Sequence, residues 1–365
     1  MANESLSGAK KAKFDEFYTQ YHDIEREMNA YLDSNKNVFR DKTILLPCDD
    51  PEWSSFTKYF AQNFEHLGLK KLISTSYAPD RKPKELNLQL SLFETQSPKF
   101  DNAKARANGK IYTLTRDTTG DIKINVEDLE WDYLNGDGDF RSDEVTTLRD
   151  EADIIVTNPP FSLFREFLEW IVSANKSFVI VGSTNAVTYK EVFPLIKDNR
   201  MWFGNGFTAG NAFFVSPTTR EYAPGVADST SGLVKFRNVV WFTNLDHGRR
   251  HQPLTLMTEE DNIKFSKHKE VLGIGYKKFD NYEAIEVPFT DAIPSDYAGV
   301  MGVPISFLSK HNPDQFEILD ANDYRRPHQA KKNYALIKDA DGSVEGVNKY
   351  VRVVIRHRGM PVQKD

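Results

Sequence analysis

The sequence predicts an α/β fold: a doubly wound, mostly parallel sheet with helices on both faces and an antiparallel pair of strands at one edge. Short apolar runs alternate with amphipathic helical stretches along the first two thirds of the chain. No apolar run approaches the roughly eighteen residues of a membrane span. With 365 residues, 39% hydrophobic and 27% charged, the chain has the composition of a soluble globular protein with ample core.

The N-terminal third predicts two helices and two strands. Apolar residues at three-to-four spacing predict helices over residues 15–31 and 54–67. Buried strands are predicted over residues 43–47 and 71–76. A polar insertion then covers about residues 78–125, and it carries a predicted hairpin of the runs 111–115 and 121–125.

Strand and helix continue to alternate in the middle of the chain. The pattern predicts strands over 153–157 and 177–182 and helices over 163–171 and 187–196. Two further strands, 211–215 and 238–243, have no helix between them, and they predict the antiparallel edge pair. In such folds ligands bind beyond the carboxyl ends of the parallel strands, near the point where the strand order reverses.

Charge and cysteine content narrow the function classes. A formal net charge of −6 argues against a non-specific nucleic-acid coat protein, although local basic surfaces stay possible. Cys48 is the single cysteine, which excludes a disulfide framework and a cysteine-based zinc site. The N-terminal segment has no apolar stretch typical of a secretory signal, so we expect a cytoplasmic protein.

The strand at 153–157 ends in Asn158-Pro159-Pro160-Phe161, the most informative segment of the chain. Two consecutive prolines fix φ, remove two backbone donors and forbid helix, so the strand stops in a rigid, extended corner. This corner presents an amide oxygen, backbone carbonyls and an aromatic ring. An exocyclic amino group on a planar heterocycle matches that arrangement. The alternatives are that Asn158 caps the following helix and that Phe161 is an ordinary core residue.

Several segments taken together resemble the EcoRI-type adenine-specific DNA methyltransferase family. Their order is similar to the gamma arrangement of amino-methyltransferases, and they span most of the chain. The segments are Lys13-Phe14-Asp15-Glu16-Phe17-Tyr18-Thr19-Gln20, Cys48-Asp49-Asp50-Pro51, Asn158-Pro159-Pro160-Phe161, Val303-Pro304-Ile305-Ser306-Phe307-Leu308 and Asn312-Pro313-Asp314-Gln315-Phe316-Glu317-Ile318.

The resemblance implies a Rossmann-like methyltransferase fold and methyl transfer from S-adenosylmethionine to the N6 nitrogen of adenine. It implies that Asn158, Pro159, Pro160 and Phe161 form the catalytic motif. The Asn158 side-chain oxygen and the Pro159 carbonyl would accept hydrogen bonds from the amino group, while Phe161 stacks on the base. Positioning and electrostatics would carry most of the acceleration, and no covalent enzyme nucleophile is required.

The resemblance also implies a set of cofactor-binding residues, and no metal is expected. Tyr18 would place an aromatic face beside the sulfonium, a cation–π interaction, unless it is a core residue. An acidic residue after the first strand would bind the ribose hydroxyls or the ammonium group, or would instead cap a helix. The cofactor-binding residues are Tyr18, Thr19, Asp49, Asp50, Pro51, Asp139 and Phe140.

Three details qualify these assignments. No glycine occurs between Asp41 and His66, so the common Gly-x-Gly cofactor loop is missing and the individual roles of Asp49 and Asp50 stay open. Pro47-Cys48 ends the first strand and does not occupy the catalytic corner, which argues against a cytosine-C5 methyltransferase nucleophile. Asp139-Phe140 would hold the cofactor's adenine or form an exposed turn; the surrounding sequence fails the EF-hand pattern.

The chain is expected to divide into a catalytic domain, residues 1–243, and a DNA target-recognition region, residues 244–365. Duplex DNA locks the amino group in a base pair, so the adenine must be flipped out and a second surface must grip the backbone. Basic groups that could provide this surface, or equally a solvated face, are His247-Gly248-Arg249-Arg250-His251, Lys264, Lys267, Lys269, Arg325-Arg326 and Lys331-Lys332, with Arg81, Lys82, Lys84, Lys104 and Arg106 in the insertion.

The leading hypothesis is a monomeric, sequence-specific DNA adenine-N6 methyltransferase. It would act on double-stranded DNA as the protective partner of a cognate restriction endonuclease, or would be a phage or orphan relative. Its expected location is cytoplasmic, as a nucleoid-associated bacterial or a phage-encoded protein. Two alternatives stay open. One is a methyltransferase for ribosomal RNA bases or a protein glutamine amide, and the other is a catalytically silent DNA-binding relative.

Overall fold

The computed structural model describes residues 18–49, 54–78, 95, 97–121, 123–207, 212–215, 233–280, 282–322, 343–348 and 351–359. The chain divides into two compact units. The first comprises Met1–Ser183 and Gly204–Leu245, and the second comprises Thr184–Phe203 and Asp246–Asp365. The sequence-based boundary after residue 243 lies two residues from the end of the first unit, whereas the stretch Thr184–Phe203 belongs to the second unit.

The first unit alternates strands and helices. Its strands are β1 (Tyr18–Thr19), β2 (Thr43–Leu46), β3 (Lys71–Ser76), β4 (Lys110–Leu114), β5 (Glu130–Tyr133), β6 (Ile154–Thr157), β7 (Ser177–Ser183), β9 (Ala212–Val215), β10 (Leu233–Phe236) and β11 (Val239–Thr243). Its helices are α1 (Tyr21–Ser34), α2 (Ser55–Gln62), α3 (Phe64–Leu67), α4 (Lys104–Ala107), α5 (Asp143–Glu151) and α6 (Phe164–Ser173), with short 3-10 turns at Val126–Asp128 and Phe161–Leu163.

Seven of these strands form one large mixed sheet, in the order β5-β4-β3-β2-β6-β7-β11. The four central strands β3, β2, β6 and β7 run parallel. β4 and β11 pair antiparallel with β3 and β7 at the two sides, and β5 pairs antiparallel with β4. From β2 the chain continues to β3 on one side and later to β6 on the other. The strand order therefore reverses between β2 and β6, where ligand sites form in open α/β sheets.

Both faces of the central sheet are buried. Ile44, Val156 and Val181 point to the face that packs with α1 and α2 in one apolar cluster. Their neighbours Leu45 and Ile155, which point to the opposite face, are fully buried as well. Parallel strands that read as continuous apolar runs are covered on both sides in this way. The predicted strands at 43–47, 71–76, 153–157 and 177–182 are thus confirmed.

The prediction that the runs 211–215 and 238–243 pair with each other at one edge of the sheet is wrong. The run 211–215 contains β9, which pairs with β1 and β10 in a separate three-stranded sheet, while β11 pairs with β7. Burial explains the difference. Apart from Val240, β11 is buried, as suits a large sheet, whereas β9 alternates buried and half-buried or exposed residues, as suits a small sheet with one wet face. The order of strands and helices along the chain does not determine which strand pairs with which.

Three further predictions need correction. Of the helix predicted over 187–196, only the part within Phe193–Lys197 is α-helical, and a 3-10 turn covers Thr184–Thr188. The helix predicted from residue 15 begins at Tyr21, because Tyr18 and Thr19 extend to pair with β9. The hairpin predicted from 111–115 and 121–125 instead joins β4 to β5, and β4 pairs with β3. The second half of the predicted insertion is therefore an edge of the central sheet, and most of its first half, residues 79–94, lies outside the described residues.

The second unit is built on a five-stranded sheet in the order β12-β13-β14-β18-β15. Its strands are β8 (Trp202–Phe203), β12 (Lys277–Lys278), β13 (Ile285–Glu286), β14 (Met301–Pro304), β15 (Phe316–Asn322), β16 (Ser343–Val344), β17 (Val347–Asn348) and β18 (Arg352–His357), and its helices are α7 (Phe193–Lys197) and α8 (Glu259–Phe265). In the described part of the chain, no helix is long and apolar enough to cross a membrane.

Candidate active site

The two segments that carry the strongest motifs leave neighbouring parallel strands at the reversal point of the sheet. Asp49 lies three residues beyond the end of β2, and Asn158 directly follows the end of β6. β2 and β6 pair in parallel register, with Ile44 opposite Ile154 and Leu45 opposite Ile155. The carboxyl ends of both strands, and the residues that follow them, therefore lie at the same edge of the sheet.

Asp49 is the centre of a buried hydrogen-bond network at this edge. Its side chain is nearly inaccessible, with 5% of the residue exposed. The Oδ2 atom accepts a hydrogen bond of 2.6 Å from the hydroxyl of Thr157, the last residue of β6. The Oδ1 atom accepts one of 2.9 Å from Ser54. The carboxylate thus joins the β2 loop both to β6 and to the start of α2.

Further hydroxyl groups extend the network to β3. The Ser74 hydroxyl donates to the main-chain oxygen of Asp49 over 2.6 Å, and the Thr75 hydroxyl donates to that of Pro47 over 3.2 Å. Ser54 also accepts from the main-chain N–H of Phe56, so it is the N-cap of α2. Sequence reasoning missed Ser54, Ser74 and Thr157. The available signals were a hydroxyl residue at the end of the apolar strand β6, hydroxyl residues in the second half of β3, and a serine just before a predicted helix.

The Asn-Pro-Pro-Phe corner is partly accessible. Asn158 and Pro160 are half-buried, while Pro159 is buried, and the accessible area of the Asn158 Oδ1 atom is below 1 Å². The 3-10 turn that follows has Pro160 at its N-cap, and no side chain caps it. The capping alternative for Asn158 is therefore not what the structure shows. The polar side chain stands at the end of a strand that neither proline can extend.

Phe161 is packed inward. Only 4% of the residue is exposed, and its ring belongs to the large apolar cluster of the first unit. The structure therefore agrees with the alternative that Phe161 is a core residue. Its ring presents no broad aromatic face to solvent. Stacking of a base on Phe161 requires neighbouring side chains to move.

Tyr18 and Thr19 form β1, immediately before α1, and pair with Val215 and Phe214 of β9. Tyr18 is half-buried and Thr19 is 2% exposed. The Thr19 hydroxyl has no hydrogen-bond partner among the residues that the structure describes. Since a buried hydroxyl without a partner costs free energy, its position is one where a bound group could supply the missing bond.

The loop that carries Asp139 lies at the carboxyl end of β3, next to β2 in the sheet. Ala78 N–H donates to the Asp137 carbonyl over 2.8 Å. Gly138 has φ of +82° and packs so closely on the carbonyl of Ser76 that a Cβ atom would lie 2.3 Å from that oxygen. Only glycine fits this position. The loop is thus brought to the same sheet edge as Asp49 and Asn158.

Within this loop, Asp139 and Phe140 interact with protein groups. Arg141 donates from Nε to Asp139 Oδ1 over 2.9 Å and from Nη2 to Oδ2 over 2.5 Å. This hydrogen bonding lowers the pKa of Asp139 below its usual value. The Phe140 ring is 4% exposed and packs edge-on against Phe167 and Trp170 of α6, with centroid distances of 5.0 and 5.6 Å. The aromatic face is therefore covered.

Two sequence-predicted site residues, Asp50 and Pro51, lie outside the described residues, as do residues 13–17 of the first motif. Their roles stay predictions. Cys48 is half-buried at the end of β2 and is not at the catalytic corner.

A buried carboxylate in α1 was also missed. Glu27 accepts hydrogen bonds from the Tyr31 hydroxyl at 2.6 Å and from the main-chain N–H groups of Asn205 and Gly206 at 2.9 and 3.0 Å. Burial raises its pKa from 4.5 to about 7, although these hydrogen bonds and Arg26 oppose the shift. Glu27 follows Ile24 by three positions and precedes Tyr31 by four, so helical spacing places it on the buried face.

The basic groups proposed for DNA contact divide by burial. In the second unit, His247 is 2% exposed and its Nε2 atom lies 2.9 Å from the Phe203 carbonyl oxygen. Arg250 is 8% exposed, stacks on Trp202 and donates to Asn199. These two side chains serve packing within the unit. Lys104 and Arg106 of the first unit are exposed, whereas Arg81, Lys82, Lys84, Arg325-Arg326 and Lys331-Lys332 lie outside the described residues.

Three carboxylates could approach a common ion in the turn after β4. Oxygens of Asp117, Asp121 and Asp128 lie within 4.8 Å of one another. Asp128, however, accepts from the main-chain N–H groups of Thr118, Thr119 and Asn125. Its carboxylate therefore holds the turn together, and the group is remote in sequence from the catalytic motif.

Comparison with known proteins agrees with the geometry. A family model described as adenine-specific methyltransferase EcoRI matches residues 5–358. The chain is 39% identical over 359 residues to the Type II methyltransferase M.EcoRI of Escherichia coli, and the aligned region covers 98% of this chain and 97% of that relative. It is 34% identical over 359 residues to the Type II methyltransferase M.MpnI of Mycoplasma pneumoniae, with 96% and 97% covered. No solved structure matches. The resemblance predicted from the motifs is thus confirmed, and the chain belongs to the EcoRI family of adenine-specific methyltransferases.

Proposed function

We propose that this protein is a sequence-specific DNA methyltransferase that transfers a methyl group from S-adenosylmethionine to the N6 nitrogen of a flipped-out adenine in duplex DNA. The observation that carries the proposal is the position of Asn158-Pro159-Pro160-Phe161. The motif leaves β6 beside the Asp49 loop, where the order of the parallel strands reverses. The family relationship supports the same reaction.

The proposed fold is the Rossmann-like methyltransferase fold. The parallel core β3-β2-β6-β7, with the antiparallel β11 beside β7, supports this assignment. Ligands of such sheets bind beyond the carboxyl ends of the strands at the reversal point. The cofactor and the target base would therefore meet at the edge from which the Asp49 loop and Asn158 emerge.

Residues on this chain fit a bound cofactor. Thr19 offers a buried hydroxyl with no partner among the described residues, and Tyr18 offers an aromatic ring in the same short strand. We propose that both contact the methionine end, with Asp49, Asp50 and Pro51 forming the adjacent loop. Asp139 would reach the cofactor from the turn at β3. When bound, S-adenosylmethionine supplies a methyl group on a positively charged sulfur.

Asn158 and Pro159 would prepare the acceptor nitrogen. The adenine amino group donates its two hydrogens to the Asn158 Oδ1 atom and to the main-chain oxygen of Pro159. These bonds draw the nitrogen lone pair out of the ring and toward the methyl carbon. The new N–C bond would form as the S–C bond breaks, which would leave S-adenosylhomocysteine, and the nitrogen would then release one proton to water. Preorganised acceptors lower the barrier because they need no rearrangement as charge develops.

We further propose that the second unit contributes to recognition of the DNA sequence, and that the enzyme works as a monomer in a restriction-modification system. Base flipping requires a surface that grips the backbone while the adenine leaves the stack. The Type II methyltransferase relatives, which match over nearly their whole length, support this context.

The test uses purified full-length protein with methyl-labelled S-adenosylmethionine and three acceptors: duplex DNA of varied sequence, ribosomal RNA and total protein. We expect label only in DNA, recovered as N6-methyladenine after digestion. Asn158→Ala should remove the label, while Asn37→Ala, a change at an exposed asparagine whose side chain accepts a hydrogen bond from the exposed Arg40, should keep it. Label in RNA or protein but not in DNA would refute the proposal.

A further inference from the structure

The buried carboxylate of Asp49 holds the strand that carries the catalytic motif. Thr157, which is fully buried, donates its hydroxyl hydrogen to Asp49 Oδ2 over 2.6 Å. Ser54 donates to Oδ1 of the same carboxylate over 2.9 Å. Distances of this order are typical of hydroxyl groups bonded to a carboxylate, and such charge-assisted bonds are about twice as strong as neutral ones.

The location of the Thr157 bond matters more than its strength. Main-chain pairing between β2 and β6 is registered at Ile154 and Ile155. Thr157, two residues further on, pairs with Ile180 of β7 on its other side. On the β2 side, the side-chain bond to Asp49 therefore links the end of β6 to the β2 loop beyond the registered pairs. Asn158 is the next residue.

The same carboxylate also fixes the β2 loop and the start of α2. Ser54 bonds Asp49 and caps α2, and Ser74 of β3 holds the main-chain oxygen of Asp49 over 2.6 Å. A buried carboxylate without partners would be costly, so the Asp49 side chain depends on the hydroxyl groups of Thr157 and Ser54, while Ser74 holds the main chain of Asp49. The network joins the ends of three parallel strands.

We propose that Asp49 and Thr157 are positioning residues that set the Asn158 corner relative to the β2 loop, an inference that rests on the proposed methyltransferase function. Asp49 would act through Thr157 on the catalytic motif, in addition to any contact with the cofactor. An error of about 1 Å in such a corner can cost roughly a hundredfold in rate, because methyl transfer needs the nitrogen and the methyl carbon in line.

The first experiment compares Thr157→Val, which removes the hydroxyl, with Thr157→Ser, which keeps it. The rate of a single turnover on duplex DNA and the dissociation constant for S-adenosylmethionine are both measured. We expect Thr157→Val to lower the single-turnover rate roughly tenfold to hundredfold while the dissociation constant stays unchanged, and Thr157→Ser to restore most of the rate. Thr243→Val is the matched control, since Thr243 is also fully buried and donates its hydroxyl to the Phe178 carbonyl of β7.

The outcomes separate this inference from the proposed function. A wild-type rate in Thr157→Val, or equal losses in Thr157→Val, Thr157→Ser and Thr243→Val, would overturn the positioning role while the methyltransferase stands. Wild-type protein that labels no DNA would overturn both. If Thr157→Val does not fold, Asp49→Asn takes its place. This change keeps the size of the side chain but puts an amide NH₂ opposite one of the two hydroxyl donors, and an unchanged rate in it would contradict the proposal.

Discussion

The Asn158 corner and the Asp139 turn both emerge at the same edge of the central sheet, yet their side chains are used differently. Behind the corner, support comes from another strand, through the bond between Thr157 and Asp49. The turn is closed on itself, since Arg141 holds the Asp139 carboxylate and α6 covers the Phe140 ring. A motif therefore predicts where a loop lies better than it predicts what each side chain in it does.

This difference has a physical basis. At the corner, two prolines fix the main chain but remove its donors, so a hydroxyl group and the Asp49 carboxylate supply the bond that ties the end of β6 to the β2 loop. In the turn, the support comes from Arg141, whose main-chain N–H and guanidinium both donate hydrogen bonds to the Asp139 carboxylate. We therefore expect substitutions in the corner to change the rate of methyl transfer, and substitutions in the turn to change chiefly stability.

The largest expected effect on stability is that of Phe140→Ala. Truncation of a ring packed on Phe167 and Trp170 should lower the free energy of unfolding by about 3–5 kcal/mol, because it removes apolar contacts and leaves a cavity. Urea denaturation measures this loss. If stability is unchanged while affinity for S-adenosylmethionine collapses, the ring serves the cofactor and the comparison between corner and turn fails.

Glu27, a buried carboxylate elsewhere in the first unit, should make the stability of the protein depend on pH. Burial raises the pKa of Glu27 from 4.5 to about 7. Between these values the folded protein holds a proton that the unfolded chain releases. Proton binding by Glu27 therefore stabilises the folded state fully below pH 4.5. This contribution to the free energy of unfolding, about 3 kcal/mol in all, is lost as the pH rises to 7.

Glu27→Gln should abolish this dependence, since the amide does not titrate. The measurement is the difference in the free energy of unfolding between wild type and variant, obtained by denaturation across that pH range. A difference that stays constant from pH 4.5 to 7 would show that Glu27 does not titrate there. The close packing of Gly204 on Glu27, where a Cβ atom would lie 1.9 Å from Oε1, makes Gly204→Ala a second disruption of the same contact.

Phe161→Leu sharpens the distinction between core packing and base stacking. The leucine keeps an apolar side chain in the cluster but loses the flat ring. The ring is packed in the core, so stacking needs side chains to move when the base enters. With that movement we expect roughly a tenfold loss in methyl transfer under subsaturating DNA, since base–aromatic stacking is worth about 1–3 kcal/mol. Single-turnover rates at several DNA concentrations provide the measurement. Normal rates with reduced stability would assign Phe161 to the core alone.

The smallest expected effect is that of Asp139→Asn. The Asp139–Arg141 pair is partly exposed, with Arg141 more than half accessible, and such pairs contribute about 0–1 kcal/mol to stability. Calorimetry with S-adenosylmethionine tests whether Asp139 also binds the cofactor. If its carboxylate holds the cofactor's amino group, Asp139→Asn should raise the dissociation constant. An unchanged dissociation constant would remove Asp139 from the cofactor site.

Much of the central sheet could be predicted from sequence because its strands are continuous apolar runs. The runs 43–47, 71–76 and 153–157 were assigned correctly as strands, and five segments taken together, the motif at Asn158 among them, gave the family resemblance that is confirmed. Strand partners could not be predicted where the choice depends on distant residues. The run at 211–215 pairs with β1 and β10, and only the structure brings Tyr18 and Thr19 beside it.

The sequence singled out Asp49 and Asn158 as candidate site residues, but it did not predict the hydrogen bonds that hold the segments carrying them. Asp49 was singled out as an acidic residue after a strand, whereas its partner Thr157 lies 108 positions away and looks like any strand threonine. Long-range hydrogen bonds of this kind have no sequence period. The burial of Phe161 and Phe140 likewise depends on what packs over them, which a motif does not specify.

The most direct test of the account is the methylation of DNA in a host that lacks its own methyltransferases. Wild-type protein and Asn158→Ala are expressed there, and modified bases are mapped by single-molecule sequencing. The account predicts N6-methyladenine at one recurring sequence with the wild type, and none with an equally abundant, folded Asn158→Ala. N6-methyladenine that persists in the variant, or wild-type modification of any base other than adenine, would contradict it.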